Sequence, residues 1–587
     1  MYSPTGRPTW FGPESAPLFG VVHSPAAGHV RGGIVICPPL GKEHIDTYGG
    51  LKLLAQELSA AGFVVLRFDY LGTGDSARDQ GADSALDDYR SSIEQAVRYL
   101  RDGGAADIAL VGLRMGALLA ASVAPAVSGL RSIVLWDPVL DGRRYLRQQR
   151  VLYKTTVGDD VVDVESEAII GLAFSKATAD QLRVMKMPTA VSDSAPVLVL
   201  SRPELMDDER LTNLAAQPNW QVRSVDGQAE FVEPASFVVD IPQETIALIA
   251  SWIDANMPRP MYRFHPQFRS RAVVAELSGG RQVVEVIDEI GPNRLFGIRT
   301  ALAGAGADAP ALLTHTTAAQ HRIGPGRIWT ETAREAAGLG MAALRFDRRG
   351  TGDTGVATAE FPRIYSAESK QDVVDAVEAT GVSADRLIMV GVCSGAWNAA
   401  YGAVQRGAKA VVMVNIILYS WRKVEAGPER LLEMTPRNPG AAPKPEVGSA
   451  RALVKKALKR WLPYWVWLIL GRLGLTQVPE ILLKELRRNN VKAELVLSPE
   501  DFVWFERQRG ERAIARLADE SWSPVVTPTP TGDHPLIQRD IQNLARRHLL
   551  EVAVKNFGPL LDNSGSGGRS ASSMPTSGFG TQQRCAN

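Results

Sequence analysis

A cysteine stands at the centre of Gly391-Val392-Cys393-Ser394-Gly395, with a glycine two residues to either side. The run RLIMV before it has the composition of a strand, and AWNAAYGAV after it that of a helix built from small residues. A strand, a sharp turn and a small-residue helix in this order make a nucleophile elbow. The turn forces the middle residue into strained backbone and exposes its side chain, and the glycines keep the crossing clear. A thiol held there attacks an acyl carbon and carries the acyl group as a covalent intermediate. Ser394, one residue off the tip, is the second candidate for that role. The competing reading of Cys393 is a small buried hydrophobe, as most free cysteines are.

The elements that must hold this turn occur twice. LRFDYLGTGDS at Leu66–Ser76 returns as LRFDRRGTGDT at Leu344–Thr354, 278 positions later. LFGVV at Leu18 returns as LFGIR at Leu295, and VGLRMGA at Val111 as VGVCSGA at Val390. A repeat this long is a duplicated globular domain, because solenoid units recur about every 20–50 residues. Each copy alternates β-branched runs with helical stretches: GIVIC, FVVLRFD, IALVG, SIVLWD and PVLVLS, then ALLTH, MAALRFD, RLIMVG, AVVMVN and AELVLS. This is the pattern of a mostly parallel sheet covered by helices on both faces. Residues 1–255 and 283–560 are read as the two domains, and 256–282, rich in Pro, Arg and aromatics, as the linker. The Ser/Gly-rich stretch 561–587 is read as a disordered tail. Insertions at 141–194 and at about 416–490 fall where caps would cover the strand ends.

The sheet pattern, the FD-x-x-G-x-G turn and the elbow, in this order in both halves, resemble the α/β-hydrolase superfamily. More narrowly, HRIGPGRIW, LRFDRRGTGD, CSGA and WDPVLDGRRYL are similar to serine-aminopeptidase-like and exosortase-associated hydrolases of bacterial exopolysaccharide gene neighbourhoods. The resemblance implies two tandem α/β-hydrolase domains, each with a cap. It also implies an acid after the penultimate strand and a histidine after the last. AELVLSPED supplies Asp501, with Glu500 beside it, and PTPTGDHPL supplies His534. On this reading His534 takes the thiol proton and later protonates the leaving group, while Asp501 fixes its tautomer and stabilises the imidazolium. The Ser394 backbone N–H supplies half of an oxyanion hole, and Thr316 or Thr317, after ALLTH, the other half. His315 and His321 flank that loop and either line the pocket or are structural. Most members of the superfamily carry Ser at the elbow; Cys occurs in the dienelactone hydrolases, where a helix N-terminus and a nearby His make thiolate available.

The first copy departs from the pattern at two points. Its elbow, Gly112-Leu113-Arg114-Met115-Gly116, puts an arginine at the tip, and arginine is no nucleophile. No histidine occurs between His44 and the linker, and SVDGQAEFVEP offers only Glu230 and Glu233. This half is read as a pseudoenzyme. Arg114 there either binds an anion such as a carboxylate or phosphate, or pairs with local acids such as Asp137 or Glu230. The duplicated Asp75 and Asp353 are read as caps of the following helices.

Composition narrows the rest. A formal charge of +1 argues against nucleic acid as a partner. Cys37, Cys393 and Cys585 are too few and scattered for a disulfide framework or metal site, and point to a reducing cytoplasm. MYSPTGRPTWFGPES lacks the basic and apolar segments of a signal peptide. WLPYWVWLIL, ending at Leu470, is about half the roughly 20 residues that span a bilayer. With the basic stretch before it, Trp461, Tyr464, Trp465 and Trp467 could take an acyl chain or make peripheral membrane contact, or form the cap's own core. The expectation is an esterase- or thioesterase-like hydrolase, or an acyl transferase, needing neither metal nor organic cofactor. Its rival is a non-catalytic scaffold of a polysaccharide or lipid-linked biosynthetic system.

Overall fold

The computed structural model describes residues 6–25, 28–157, 166–192, 194–234, 237–421 and 462–558. Trp461, Cys585, the 422–461 part of the second cap and the expected tail lie outside the described residues.

Two large sheets account for the duplication. The first contains β1 (Arg7–Phe11), β2 (Leu18–His23), β3 (Gly33–Cys37), β4 (Val64–Phe68), β5 (Ile108–Leu113), β6 (Leu130–Trp136), β7 (Val197–Ser201) and β8 (Trp220–Ser224), in the spatial order β1-β2-β4-β3-β5-β6-β7-β8. The second contains β9 (Arg271–Leu277), β10 (Arg281–Ile290), β11 (Leu295–Leu302), β12 (Ala311–His315), β13 (Ala342–Phe346), β14 (Leu387–Val392), β15 (Ala410–Val414), β16 (Lys492–Leu497) and β17 (Val525–Pro528). Its order is β9-β10-β11-β13-β12-β14-β15-β16-β17. From β2 and from β11 onward the two orders coincide. In both, the early strands pair antiparallel and the rest parallel.

Successive strand residues face opposite cores, as a buried parallel sheet requires. In β3, Val35 and Cys37 pack under the helices Ala85–Asp102 and Met115–Val123, whereas Ile34 and Ile36 pack under Lys42–Ala60 and Gln243–Asn256. In the second half Leu313 and Met389 share a core with the helices Ala367–Ala379 and Ser394–Arg406; Leu312 and Ile388 face Ile328–Gly338 and Arg539–Phe557.

The stretch 256–282 is only partly a linker. Tyr262–Arg263 pairs with His29–Val30 of the first half, and β9 already belongs to the second sheet. Alternation in RAVVAEL marks that strand, and the Pro- and aromatic-rich residues ahead of it mask the signal.

The halves meet through their repeated segments, with approximate two-fold symmetry. Phe19 and its counterpart Phe296 have ring centroids 5.9 Å apart, and His44 and its counterpart His321 6.1 Å apart. Arg67 donates to Asp353 at 2.6 Å, and the equivalent Arg345 donates to Asp75 in the reverse direction. Asp75 and Asp353 therefore do not cap helices, as the sequence reading expects, but close this exchange of ion pairs. The loop-closing role falls to Asp69 and Asp347, which accept the backbone N–H groups of Asp75 and Asp353. Around the charges lies an apolar patch that includes Trp10, Phe19, Val274 and Phe296.

In the described part of the second cap, Tyr464 and Trp467 pack with Val478, whereas Trp465 is 64% exposed. No described helix is long and apolar enough to cross a membrane.

Candidate active site

The elbow forms as its glycines dictate. β14 delivers Cys393 with its N–H on the Val414 carbonyl at 2.9 Å, and the helix Ser394–Arg406 starts at the next residue. Cys393 has φ 52 and ψ −114, a conformation that costs an L-residue of order 1–3 kcal/mol and persists only where packing imposes it. A Cβ on Gly391 would lie 2.1 Å from the Gly395 carbonyl oxygen, and one on Gly395 2.4 Å from that of His315. Both glycines are therefore obligatory at this crossing. Cys393 is partly exposed at the tip.

Ser394 points elsewhere. Its side chain is buried, accepts the Ala318 N–H at 2.9 Å and lies 3.4 Å from the Thr317 hydroxyl. It ties the helix head to the loop Thr316–Ala318, in which Ala318 takes φ 45. Arg348 fixes the same loop by donating to the Ala318 carbonyl at 2.6 Å.

Across from the thiol, His534 Nδ1 lies 2.7 Å from Asp501 Oδ1, and both side chains are almost wholly buried. Asp501 sits in the first turn of the helix Pro499–Arg507 after β16, and Ser498 donates to its second oxygen. The neighbouring carboxylates are engaged differently. Asp533 accepts the N–H groups of Ile537 and Gln538, both at 2.9 Å, and Glu500 is half-buried beside Asp501. Among the described residues His534 Nε2 has no well-aligned hydrogen bond, and the side chain nearest it in influence after Asp501 is Cys393. Burial alone would lower the His534 pKa. The negative charges of Asp501 and Cys393 outweigh it and hold the pKa well above the ordinary imidazole value.

Three positions were silent in the sequence. Asn415, at φ 49, donates to the carbonyls of Asp533 and His534 at 3.0 and 2.9 Å and accepts the Ser498 N–H at 2.8 Å, so one amide joins the acid-bearing and histidine-bearing loops. The readable signal is its place at the end of AVVMVN, where the first copy has Asp137. Tyr365 and Tyr419 are the others. Burial raises both phenols well above their usual pKa, with Cys393 adding for Tyr365 and Asp501 for Tyr419; the Tyr419 hydroxyl donates to the Ile416 carbonyl at 3.0 Å.

His315 and His321 make their contacts elsewhere. His315 packs edge-on against Phe346 at 5.4 Å, and burial together with Arg348 pushes its pKa down to about 3. His321 faces the other half.

The first elbow keeps the same strained turn with an arginine at its tip. Arg114 has φ 54 and ψ −119. It is buried against Glu43, Asp137 and Glu233 at 3.3–3.4 Å, and Arg202 shares the last two. Glu230, named as a partner from sequence, is exposed. Of the two readings the sequence left open for Arg114, the structure has the pairing with local acids, with Asp137 among its partners as named. Burial raises the Glu43 pKa to about 6, against the pull of Arg114.

Residues 28–178 match the family described as serine aminopeptidase, S33. That match covers the half whose elbow carries Arg114. An esterase of Pyrococcus furiosus aligns at 14% identity over 43% of this chain and 91% of its own, with a TM-score of 0.31. The esterase domain of a Rhodothermus marinus protein aligns at 15% identity over 42% and 98%, also at 0.31. A thioesterase domain from the curacin biosynthetic pathway aligns at 13% identity over 42% and 99%, at 0.29. No curated protein matches the chain. The family match over residues 28–178, the two coinciding strand orders and the two elbows make the chain similar to serine-aminopeptidase-like α/β-hydrolases, a likeness of fold that extends to both halves.

Proposed function

We propose that the second half is a cysteine-dependent acyl hydrolase or acyl transferase acting on an ester or thioester, and that the first half is a pseudoenzyme. The observation carrying this is the Asp501–His534 pair at 2.7 Å, facing a cysteine on a strained elbow.

The chemistry follows from the arrangement. Cys393 Sγ, its proton transferred to His534 Nε2, adds to the acyl carbon, and the carbonyl π electrons move onto oxygen. The Ser394 N–H and the Thr316–Thr317 loop receive that oxyanion. As the tetrahedral centre collapses, the C–O or C–S bond breaks and His534 gives its proton to the leaving alkoxide or thiolate. His534 then takes a proton from water, or from an acceptor alcohol or amine, which attacks the thioester and frees Cys393. Asp501 stabilises the imidazolium in both steps.

The test is turnover of activated short- and medium-chain esters and thioesters, followed with intact mass, for the parent and for Cys393→Ala, Ser394→Ala and His534→Ala. An acyl adduct on Cys393, with turnover abolished by Cys393→Ala and His534→Ala only, supports the reading. No turnover and no adduct with any donor supports a scaffold.

A further inference from the structure

We propose that the first half is a built-in positioning partner of the second, its Tyr48 and Asp75 holding in place the loop that binds the oxyanion; the proposal rests on the cysteine-hydrolase reading above. The loop leaves β12 at His315, passes Thr316 and Thr317, and ends at His321 and Arg322. Its near end is fixed from within the second half by Ser394 and Arg348. Its far end is held from both halves, by Asp347 and Asp353 of its own and by Tyr48 and Asp75 of the first.

His321 is buried, and among the described residues neither of its ring nitrogens has a hydrogen-bond partner. What holds the ring is Tyr48, stacked on it at 4.1 Å with 24° between the planes. The next residue, Arg322, is fully buried. Its guanidinium meets Asp75 of the first half at 2.8 Å, and Asp347 and Asp353 of its own half at 2.7 and 3.0 Å. It also lies against both Phe19 and Phe296, with centroids 4.9 and 4.1 Å away.

The segment that carries Arg348 is gripped from the same side. The Tyr48 hydroxyl donates to Asp353 at 2.6 Å, and Lys52 donates to the Gly352 carbonyl at 2.9 Å. Arg67 pairs with Asp353 as well. The far end of the loop and the segment bracing its near end thus depend on side chains of the first half. Buried charges and stacked rings make such an attachment stiff, because displacing either leaves an uncompensated charge or a hole. A shift of about 1 Å in an oxyanion donor is enough to cost on the order of 100-fold in rate.

The test uses the full chain with Tyr48→Leu, which stays apolar and removes both the stack and the hydroxyl, and Tyr48→Phe, which keeps the stack. Two rates are compared on each variant. Turnover of an activated short-chain ester needs the oxyanion site; alkylation of Cys393 by iodoacetamide, a displacement at saturated carbon, does not. Tyr48→Leu is expected to lower kcat/KM for the ester about 10- to 100-fold while alkylation stays within about twofold, and Tyr48→Phe, which loses only the hydrogen bond to Asp353, to lower it about three- to tenfold with alkylation likewise held. Asp75→Asn is expected to behave like Tyr48→Leu. Ester turnover of folded Tyr48→Leu close to the parent's, or a fall in alkylation to the same degree, overturns the proposal. If Tyr48→Leu does not fold, Tyr48→Phe decides it: a fall in ester turnover larger than its fall in alkylation supports the role, and parallel changes overturn it. A parent that is alkylated at Cys393 but turns over no acyl donor overturns the hydrolase reading, and this proposal with it.

Discussion

His534 Nδ1 and Asp501 Oδ1 lie 2.7 Å apart, in a pocket that excludes water from both. Because the Asp501 charge is the largest influence raising the imidazole pKa, it controls the pH range over which His534 can donate a proton. In the proposed mechanism the imidazolium is the acid that protonates the leaving group, so acylation should fall as pH rises through the raised His534 value.

Asp501→Asn is therefore expected to shift the alkaline limb of kcat/KM to lower pH and to reduce turnover by about 10³-fold or more. The stability effect has a defined sign. A histidine whose folded pKa is raised adds stability fully present below its unfolded value near 6.5, and loses it as pH rises through the folded value. The difference in unfolding free energy between parent and variant should shrink towards alkaline pH, which urea titrations across the range will measure.

At the elbow, Cys393→Ala should remove both turnover and the acyl adduct. Ser394→Ala should keep both at a level reduced about tenfold, because it cuts the tie to Ala318 without touching the strained tip. Intact-mass analysis after a burst with substrate separates the two outcomes.

Asn415→Ala tests the amide that joins the two functional loops. It leaves the Asp533 and His534 carbonyls and the Ser498 N–H without partners. A loss of about 2–4 kcal/mol in unfolding free energy is expected, since each buried unmet group costs about 1–3 kcal/mol and neighbouring costs overlap. Activity should fall further than the folded fraction does.

In the first half, Arg114→Leu strips a buried cation from three carboxylates and should cost about 3–5 kcal/mol at pH 7. Glu43 titrates near pH 6 in the parent and higher once Arg114 is gone. A raised carboxylate pKa favours the folded state when protonated, so the penalty should diminish between pH 7 and pH 5. Arg114→Cys in the Cys393→Ala background should show no acyl turnover, because this half places no histidine where His534 stands in the other.

What the sequence disclosed follows from the range of each interaction. The Cys393 turn was legible because its glycines are two residues away and the approach of Gly391 to Gly395 that requires the first of them is local. The strands were legible from β-branched runs. The roles of Asp75 and Asp353 were not: their partners Arg345 and Arg67 lie 270 and 286 residues away, and a single GTGD phrase looks like any capped turn. The acids around Arg114 were half-legible for the same reason. Asp137 ends a strand and could be named, whereas Glu43 comes from a helix 71 residues upstream. Asn415 remained silent because a polar residue at a strand end has many ordinary uses.

The charged, buried seam between the halves has a consequence for how the protein assembles. Desolvating Asp75, Asp353, Arg67, Arg322 and Arg345 together opposes association, so two free copies meeting in dilute solution would gain little from it. Joined in one chain, each half meets the other at an effective concentration in the millimolar range, set by the tether rather than by expression level. A seam too weak to hold strangers is then sufficient to hold neighbours. The covalent link also guarantees that every Cys393 site is paired with an Arg114 half, which a self-pairing single copy could never ensure.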